Sequence, residues 1–269
     1  MKKHLWVVLA VLAAGLMLYA CSSVALTGRK QVLLYSDSDI MALSEASYKD
    51  FATTAKASTN QALTQRVNNI CKKLIAATNN YFAKSGQANY MQGINWHIDL
   101  VQSSEVNAFC LPSGNIVVYE GLAKFVDNDD QLAAVVGHEM AHAIANHSNE
   151  RMSRQSITNS VQNAVLTAAQ VSGVSDTQLA VFNTALGLGS QYGITLPFSR
   201  KQEYEADRIG LIIMAIAGYN VEEAAKLWEK MAQNGSTVPE VLSTHPSDQN
   251  RIKNINKYIP EAKAYAAAK

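Results

Sequence analysis

The strongest constraint on this chain is the run HEMAH from His138 to His142. On a helix, residues four apart lie on one face, so the imidazoles of His138 and His142 can bind a single Zn²⁺. Glu139 then lies beside the metal, where it can act as general base towards a water at the open coordination position. Asn128 precedes an apolar stripe at helical spacing, which predicts that this segment is a helix.

An acidic cluster some sixty residues later supplies the third ligand. Glu203 and Asp207 are one helical turn apart. Glu203 can complete a set of two histidines and one glutamate, and Asp207 can accept a hydrogen bond from a ligand imidazole. The alternative is a charged, solvated helix face. Glu205 lies on another face and is interpreted as structural. His147 comes five residues after His142 instead of six, so we expect a solvated histidine at the helix end and not a ligand.

Five segments, in order along the chain, resemble a family of zinc endopeptidases that includes the CAAX-prenyl proteases and the HtpX-type and BepA-type bacterial enzymes. The segments are residues 27–31, 107–115, 137–142, 203–207 and 243–247. The resemblance implies a zinc-dependent endopeptidase with one Zn²⁺ held by His138, His142 and Glu203. It implies unfolded or misfolded envelope proteins as substrates, in protein quality control. The alternative function is a chaperone-like or binding protein in which the zinc is structural or blocked.

The same resemblance implies that His245 and Arg251 lie near the zinc, because related enzymes carry a His-Pro pair followed by an arginine there. Two catalytic roles stay open. A neutral His245 could occupy the fourth zinc position until substrate displaces it. Alternatively, His245 and Arg251 could donate hydrogen bonds to the oxyanion formed during peptide hydrolysis. A third interpretation is an ordinary turn histidine, since Pro246 fixes the entrance of the last helix.

The rest of the pattern predicts an α+β fold: a mostly helical, gluzincin-type metallopeptidase with a small β-hairpin or sheet beside the active-site helix. Helices are expected over 38–56 and 64–78, a strand over 96–101, and a hairpin formed by 106–111 and 116–119. Residues 149–198 are expected to form a helical hairpin, with a mobile lid as the alternative.

Asn107, Ala108 and Phe109 are the candidate substrate-binding residues. In related zinc peptidases the corresponding segment is an edge strand that pairs with extended substrate. Unpaired N–H and C=O groups at a sheet edge can hold a peptide largely irrespective of its side chains. The alternative is a covered strand without a binding role.

The N-terminal residues predict export and a lipid anchor. Lys2 and Lys3 precede a sixteen-residue apolar run that ends before Cys21, as in bacterial lipoprotein signals. We therefore expect a signal peptide over 1–20, an extended lead-in over 21–36 after a lipidated Cys21, a single zinc metallopeptidase domain over 37–262 and a tail over 263–269. This predicts a membrane-anchored protein on the periplasmic side of a bacterial envelope, in the outer membrane. An ordinary cleaved signal and an uncleaved anchor are the alternatives.

Charge and cysteine content limit the partners further. Removal of residues 1–20 changes 23 basic and 22 acidic residues to 21 and 22, a net charge near −1 that gives no reason to expect nucleic-acid binding. Cys71 and Cys110 could pair in an oxidising compartment, but two free thiols are favoured because nothing places them within bridging distance.

Overall fold

The structure, a computed structural model, describes residues 21–171, 199–233 and 249–267. The predicted signal peptide, the second helix of the expected hairpin and His245 lie outside these residues. By contacts within the chain, the described residues form two units. The larger unit contains 23–30, 35–148, 199–233 and 249–267; the smaller contains 21–22, 31–34 and 149–171.

The described part of the chain is mostly helical with small sheets, which confirms the predicted fold class. Its helices are α1 (Asp37–Thr54), α2 (Gln61–Lys84), α3 (Glu120–Phe125), α4 (Asp129–Ile144), α5 (His147–Val171), α6 (Arg200–Ala217), α7 (Glu222–Gln233) and α8 (Gln249–Ala267). Its strands are β1 (Cys21–Ser23), β2 (Lys30–Val32), β3 (His97–Val101), β4 (Ala108–Cys110) and β5 (Asn115–Tyr119). Among these helices, none is both long and apolar enough to cross a membrane.

A three-stranded sheet of order β3–β5–β4 lies in the larger unit, and β1 pairs with β2 in a separate two-stranded sheet. Strand β5 is the central strand of this sheet, and its residues Ile116, Val117 and Val118 are all buried. The β4–β5 pair is antiparallel, as the predicted hairpin requires. The parallel pairing of β3 with β5 was not predicted, because it depends on a contact between distant segments and not on a local turn.

Local sequence sets the ends of the two central helices. The side chain of Asn128 accepts a hydrogen bond from the backbone N–H of Gln131 at the start of α4. Ser199 and Gln202 form a capping box at the start of α6, and Gly218, with φ of 77°, ends it. These caps fix where each central helix begins or ends.

The backbones of helices α4 and α6 are in close contact at Gly210. A Cβ placed on Gly210 of α6 would lie 2.9 Å from the backbone nitrogen of His138 and 3.0 Å from the carbonyl carbon of Gly137. Distances this short are not available to real Cβ atoms, so only glycine allows the two backbones to approach so closely. The crossing therefore brings the HEMAH helix directly against the helix that carries Glu203.

Two predicted boundaries differ from the structure. Helix α2 spans Gln61–Lys84 and is longer at both ends than the predicted 64–78. Helix α8 runs to Ala267, so most of the expected tail over 263–269 is helical. Its alanines favour helix, and Tyr265 and Ala266 pack against the core. In the smaller unit, the backbone N–H of Leu34 donates to Ser153 Oγ at 2.8 Å.

Candidate metal centre

Three side chains predicted as ligands meet where α4 and α6 cross. His138, His142 and Glu203 each offer one donor atom, and these atoms all lie within 4.8 Å of one another. The two Nε2 atoms are 3.1 Å apart, and they lie 3.4 and 3.6 Å from the carboxylate oxygens of Glu203. Four-coordinate tetrahedral zinc with ligands at about 2.1 Å needs donors about 3.4 Å apart. The residues present therefore fit a tetrahedral zinc ion in both donor type and spacing.

Asp207 orients the ring of His138. Its Oδ1 lies 2.9 Å from His138 Nδ1, which leaves Nε2 of the same ring to face Glu203. Burial raises the pKa of Asp207, but the Arg251 guanidinium and the His138 ring outweigh that effect and hold it below its ordinary value. Asp207 is thus an ionised acceptor that favours a hydrogen on Nδ1 of His138.

Arg251 lies behind the three ligands and is fully buried. Its Nε and Nη2 donate to the two oxygens of Asp207 at 2.8 and 2.9 Å, and its Nη1 lies 3.1 Å from Glu203 Oε2. The guanidinium carbon also stacks 3.5 Å from the centre of the Trp228 ring. The guanidinium is thus engaged by two buried carboxylates. Its donation to a substrate oxyanion stays a prediction.

Glu139 follows His138 on α4 and is 3% exposed. Helix α4 packs against strand β4, and the Cys110 thiol on β4 responds to the charge of Glu139. Burial, and second the Glu139 carboxylate, raise the pKa of Cys110 well above its ordinary value. The expected general base and the expected substrate strand therefore lie on adjoining elements. Cys110 and Cys71 are both free thiols, as favoured from the sequence.

Strand β4 is an edge of its sheet among the described residues. The carbonyl of Asn107 accepts from Tyr119 N, and Leu111 N donates to the carbonyl of Asn115. In an antiparallel pair this register turns the backbone groups of Ala108 and Cys110 away from β5. The side chain of Asn107 covers one of these groups, since its Oδ1 accepts from Ala108 N at 2.9 Å. Ala108 itself is buried, whereas Asn107 and Phe109 are half-buried.

The prediction that His147 is solvated is wrong, because the residue is 0% exposed. Asn146 adopts φ of 56° between α4 and α5, a left-handed conformation that asparagine tolerates. His147 Nδ1 then lies 2.9 Å from Nδ1 of His142, and Gln202 donates to the His147 carbonyl. The other ring nitrogen of His147 lies 3.1 Å from Glu205. Sequence reasoning missed this contact, although asparagine before the histidine was a signal for a left-handed residue between two helices.

Comparison with known proteins agrees with this geometry. The model of peptidase family M48 matches residues 61–259. The chain is 35% identical over 199 residues to the mitochondrial metalloendopeptidase OMA1 of Schizosaccharomyces pombe, covering 73% of this chain and 53% of the relative. It is 30% identical over 248 residues to the human mitochondrial metalloendopeptidase OMA1, covering 88% and 45%. It is 29% identical over 201 residues to the beta-barrel assembly-enhancing protease of Escherichia coli, covering 71% and 37%. The chain thus spans about half the length of the first of these relatives.

The comparison contradicts the predicted location on the periplasmic side of a bacterial outer membrane. Relatives from fission yeast, Arabidopsis thaliana, budding yeast, zebrafish and human all carry mitochondrial names. The prediction failed because a short basic and apolar leader is a compositional pattern, and composition alone does not identify a compartment. The bacterial location is therefore withdrawn.

Proposed function

Because the chain belongs to peptidase family M48, we propose that it is a zinc-dependent endopeptidase in which His138, His142 and Glu203 hold the metal. The observation that carries this proposal is the donor set itself, two imidazole nitrogens and a carboxylate oxygen at the spacing that zinc requires. When bound, zinc supplies a Lewis acid that polarises the scissile carbonyl and acidifies the attacking water.

The residues of this chain handle the proton and the substrate. Glu139 takes a proton from the water while the water oxygen attacks the scissile carbon. It then delivers that proton to the amide nitrogen as the C–N bond breaks, so the products are a carboxylic acid and an amine. Asp207 and Arg251 hold the ligand side chains in position throughout the reaction. Neither residue needs to contact the substrate for this role.

We propose that the substrate backbone pairs with the outer edge of β4. The outward groups of Ala108 and Cys110 are spaced to bind alternate residues of an extended peptide. The Asn107 side chain must rotate away from Ala108 N before that donor can bind substrate. Recognition through the backbone suits unfolded or misfolded proteins, which expose extended segments of many sequences. We therefore propose a role in protein quality control.

The test is the substitution Glu139→Gln, which keeps the shape of the side chain but removes the base. We expect one zinc per chain in both proteins, and loss of casein cleavage in the variant only. The matched control is Glu229→Gln, the same chemical change at an exposed position of α7, which should retain full activity. Cleavage by zinc-loaded Glu139→Gln protein at the wild-type rate would overturn the assignment. Intact binding of unfolded protein without cleavage by the wild type would favour the chaperone-like alternative.

Acylation of Cys21 stays a prediction, and the described chain begins there with β1. A palmitate analogue should label the wild-type protein but not Cys21→Ala. Equal labelling of the two proteins would overturn the anchor.

A further inference from the structure

A line of hydrogen bonds joins the loop between β1 and β2 to the ligand His142. His147 Nδ1 lies 2.9 Å from His142 Nδ1, and His147 Nε2 lies 3.1 Å from Glu205 Oε2. The Glu205 carboxylate also accepts from Thr27 Oγ1 at 2.5 Å and from Arg29 Nε at 2.5 Å. We call Thr27, Arg29, Glu205 and His147 the support chain.

The chemistry of His142 determines the direction of each of these bonds. When Nε2 of His142 faces the metal, its Nδ1 carries the hydrogen and donates to His147 Nδ1. His147 must then carry its own hydrogen on Nε2, and it donates that hydrogen to Glu205. As a carboxylate, Glu205 accepts this bond together with those from Thr27 and Arg29. All four contacts are therefore satisfied by a single arrangement of hydrogens.

Burial makes this arrangement energetically important. The side chain of His147 is 0% exposed, and those of Glu205 and Arg29 are 6% and 12% exposed. A buried carboxylate that lost its cation would be costly to keep in place. Arg29 therefore stabilises Glu205 in the position where it contacts His147.

The loop that supplies Thr27 and Arg29 has an unusual backbone. Leu26 and Gly28 both adopt left-handed conformations, with φ of 65° and 69°. A leucine in this region is strained and persists only where surrounding contacts enforce it. Burial of Val24 beside the loop and the bond from Val24 N to Arg29 O at 2.8 Å provide such contacts. The result is a tight loop that turns Thr27 and Arg29 towards Glu205.

We propose that Thr27 and Arg29 are positioning residues for the metal site. They hold Glu205, Glu205 holds His147, and His147 holds the ring of His142 in the orientation and tautomer that a metal ligand needs. The inference rests on the proposed metal site, and it adds residues that do not themselves contact metal or substrate. Outer hydrogen-bond partners of metal ligands typically contribute about 10–100-fold to metal affinity.

The experiment measures zinc affinity by competition with a chelator, using the full chain. Arg29→Met should weaken zinc binding by up to about 10-fold, the lower end of the range for a direct partner of a ligand, because it acts through Glu205 and His147. Thr27→Val should weaken it by a smaller factor, because it removes one neutral donor. The matched control is Glu261→Gln, which breaks the ion pair of Arg208 with Glu261 between α6 and α8. That pair has no bond to the support chain, so the control should bind zinc as the wild type does.

A second readout is the histidine ring nitrogen spectrum of the zinc-loaded protein, which reports tautomers directly. We expect hydrogen on Nε2 of His147 in the wild type and a changed signal in Arg29→Met. Zinc affinities of both variants within about twofold of the wild type, with unchanged ring signals, would overturn the support chain alone. Zinc binding that survives His142→Ala would instead contradict the proposed metal site. Thr27→Val keeps the inference testable if Arg29→Met fails to fold.

Discussion

Gly210 and His138 are in backbone contact across the crossing of α4 and α6, so close that a Cβ on Gly210 would lie 2.9 Å from the His138 nitrogen. The neighbouring Gly137 is less constrained, since a Cβ there would lie 3.2 Å from the nearest atom, the Gly210 carbonyl oxygen. The geometry of the proposed metal site therefore depends on the absence of a side chain at Gly210 as well as on His138, His142 and Glu203.

The first prediction is that Gly210→Ala separates the two helices. The added methyl group meets backbone on both sides, so we expect a loss of about 1–3 kcal/mol in the free energy of unfolding and weaker zinc binding. Gly137→Ala should cost less, because its neighbour has to move by only a few tenths of an ångström. Denaturant unfolding and zinc titration of both variants measure whether Gly210→Ala loses more stability and zinc affinity than Gly137→Ala does. Equal stability of Gly210→Ala and wild type would show that the crossing can relax.

The second prediction concerns the buried charges behind the ligands. Arg251→Met leaves the carboxylates of Asp207 and Glu203 buried without their cation, and we expect a loss of about 3–5 kcal/mol in the free energy of unfolding. The control is Lys263→Met, which breaks an ion pair with Glu222 in which both side chains are more than half exposed. That loss should be no more than about 1 kcal/mol. Similar losses in urea unfolding of the two metal-free variants would contradict the importance of the buried pair.

The third prediction tests the edge strand. Ala108→Pro removes an N–H that points away from β5, so we expect the fold to persist while KM for a peptide substrate rises by about 10-fold, the loss of roughly one hydrogen bond. Phe109→Pro removes an N–H that points towards β5 and should instead destabilise the protein. Peptide kinetics and thermal unfolding separate the two effects. An unchanged KM in Ala108→Pro would exclude pairing of substrate at this position.

Sequence spacing was sufficient for the parts of the site that lie on one helix. His138 with His142, and Glu203 with Asp207, are each four residues apart, and the helical repeat places each pair on one face. The contact of His147 with Glu205 joins residues 58 apart, and those of Thr27 and Arg29 with Glu205 join residues 178 and 176 apart. Local periodicity carries no information about such contacts, because they depend on how helices and loops pack.

The three-stranded sheet and the crossing of α4 with α6 also combine features that local sequence predicts with features that depend on tertiary packing. The β4–β5 hairpin follows from a turn that is local in sequence, whereas β3 reaches β5 in parallel only through tertiary packing. The sequence pattern did not identify Gly137 and Gly210 as contact points. A glycine inside a helix has no side chain that adds to the hydrophobic pattern, and its importance is seen only once the neighbouring backbone is located.

The last prediction is a pH dependence that arises away from the metal. Glu223 on α7 accepts hydrogen bonds from Lys226, Asn128 and Gln131, which lower its pKa to about 2. A group with a lowered pKa stabilises the fold above its unfolded value, and this stabilisation is lost as the pH falls towards the folded value. Glu223→Gln should therefore be less stable than wild type near neutral pH.

Between about pH 4.5 and about 2, the difference in stability between Glu223→Gln and wild type should narrow, because the carboxylate of the unfolded wild type takes up a proton in this range while that of the folded protein stays ionised. Since Asn128 caps α4, the variant should also loosen the first turn of the HEMAH helix. The control is Glu222→Gln, a neighbouring carboxylate more than half exposed, which should change stability little at any pH. Denaturant unfolding at several pH values measures both variants. A difference for Glu223→Gln that stays constant across this range would show that its carboxylate does not contribute through its charge.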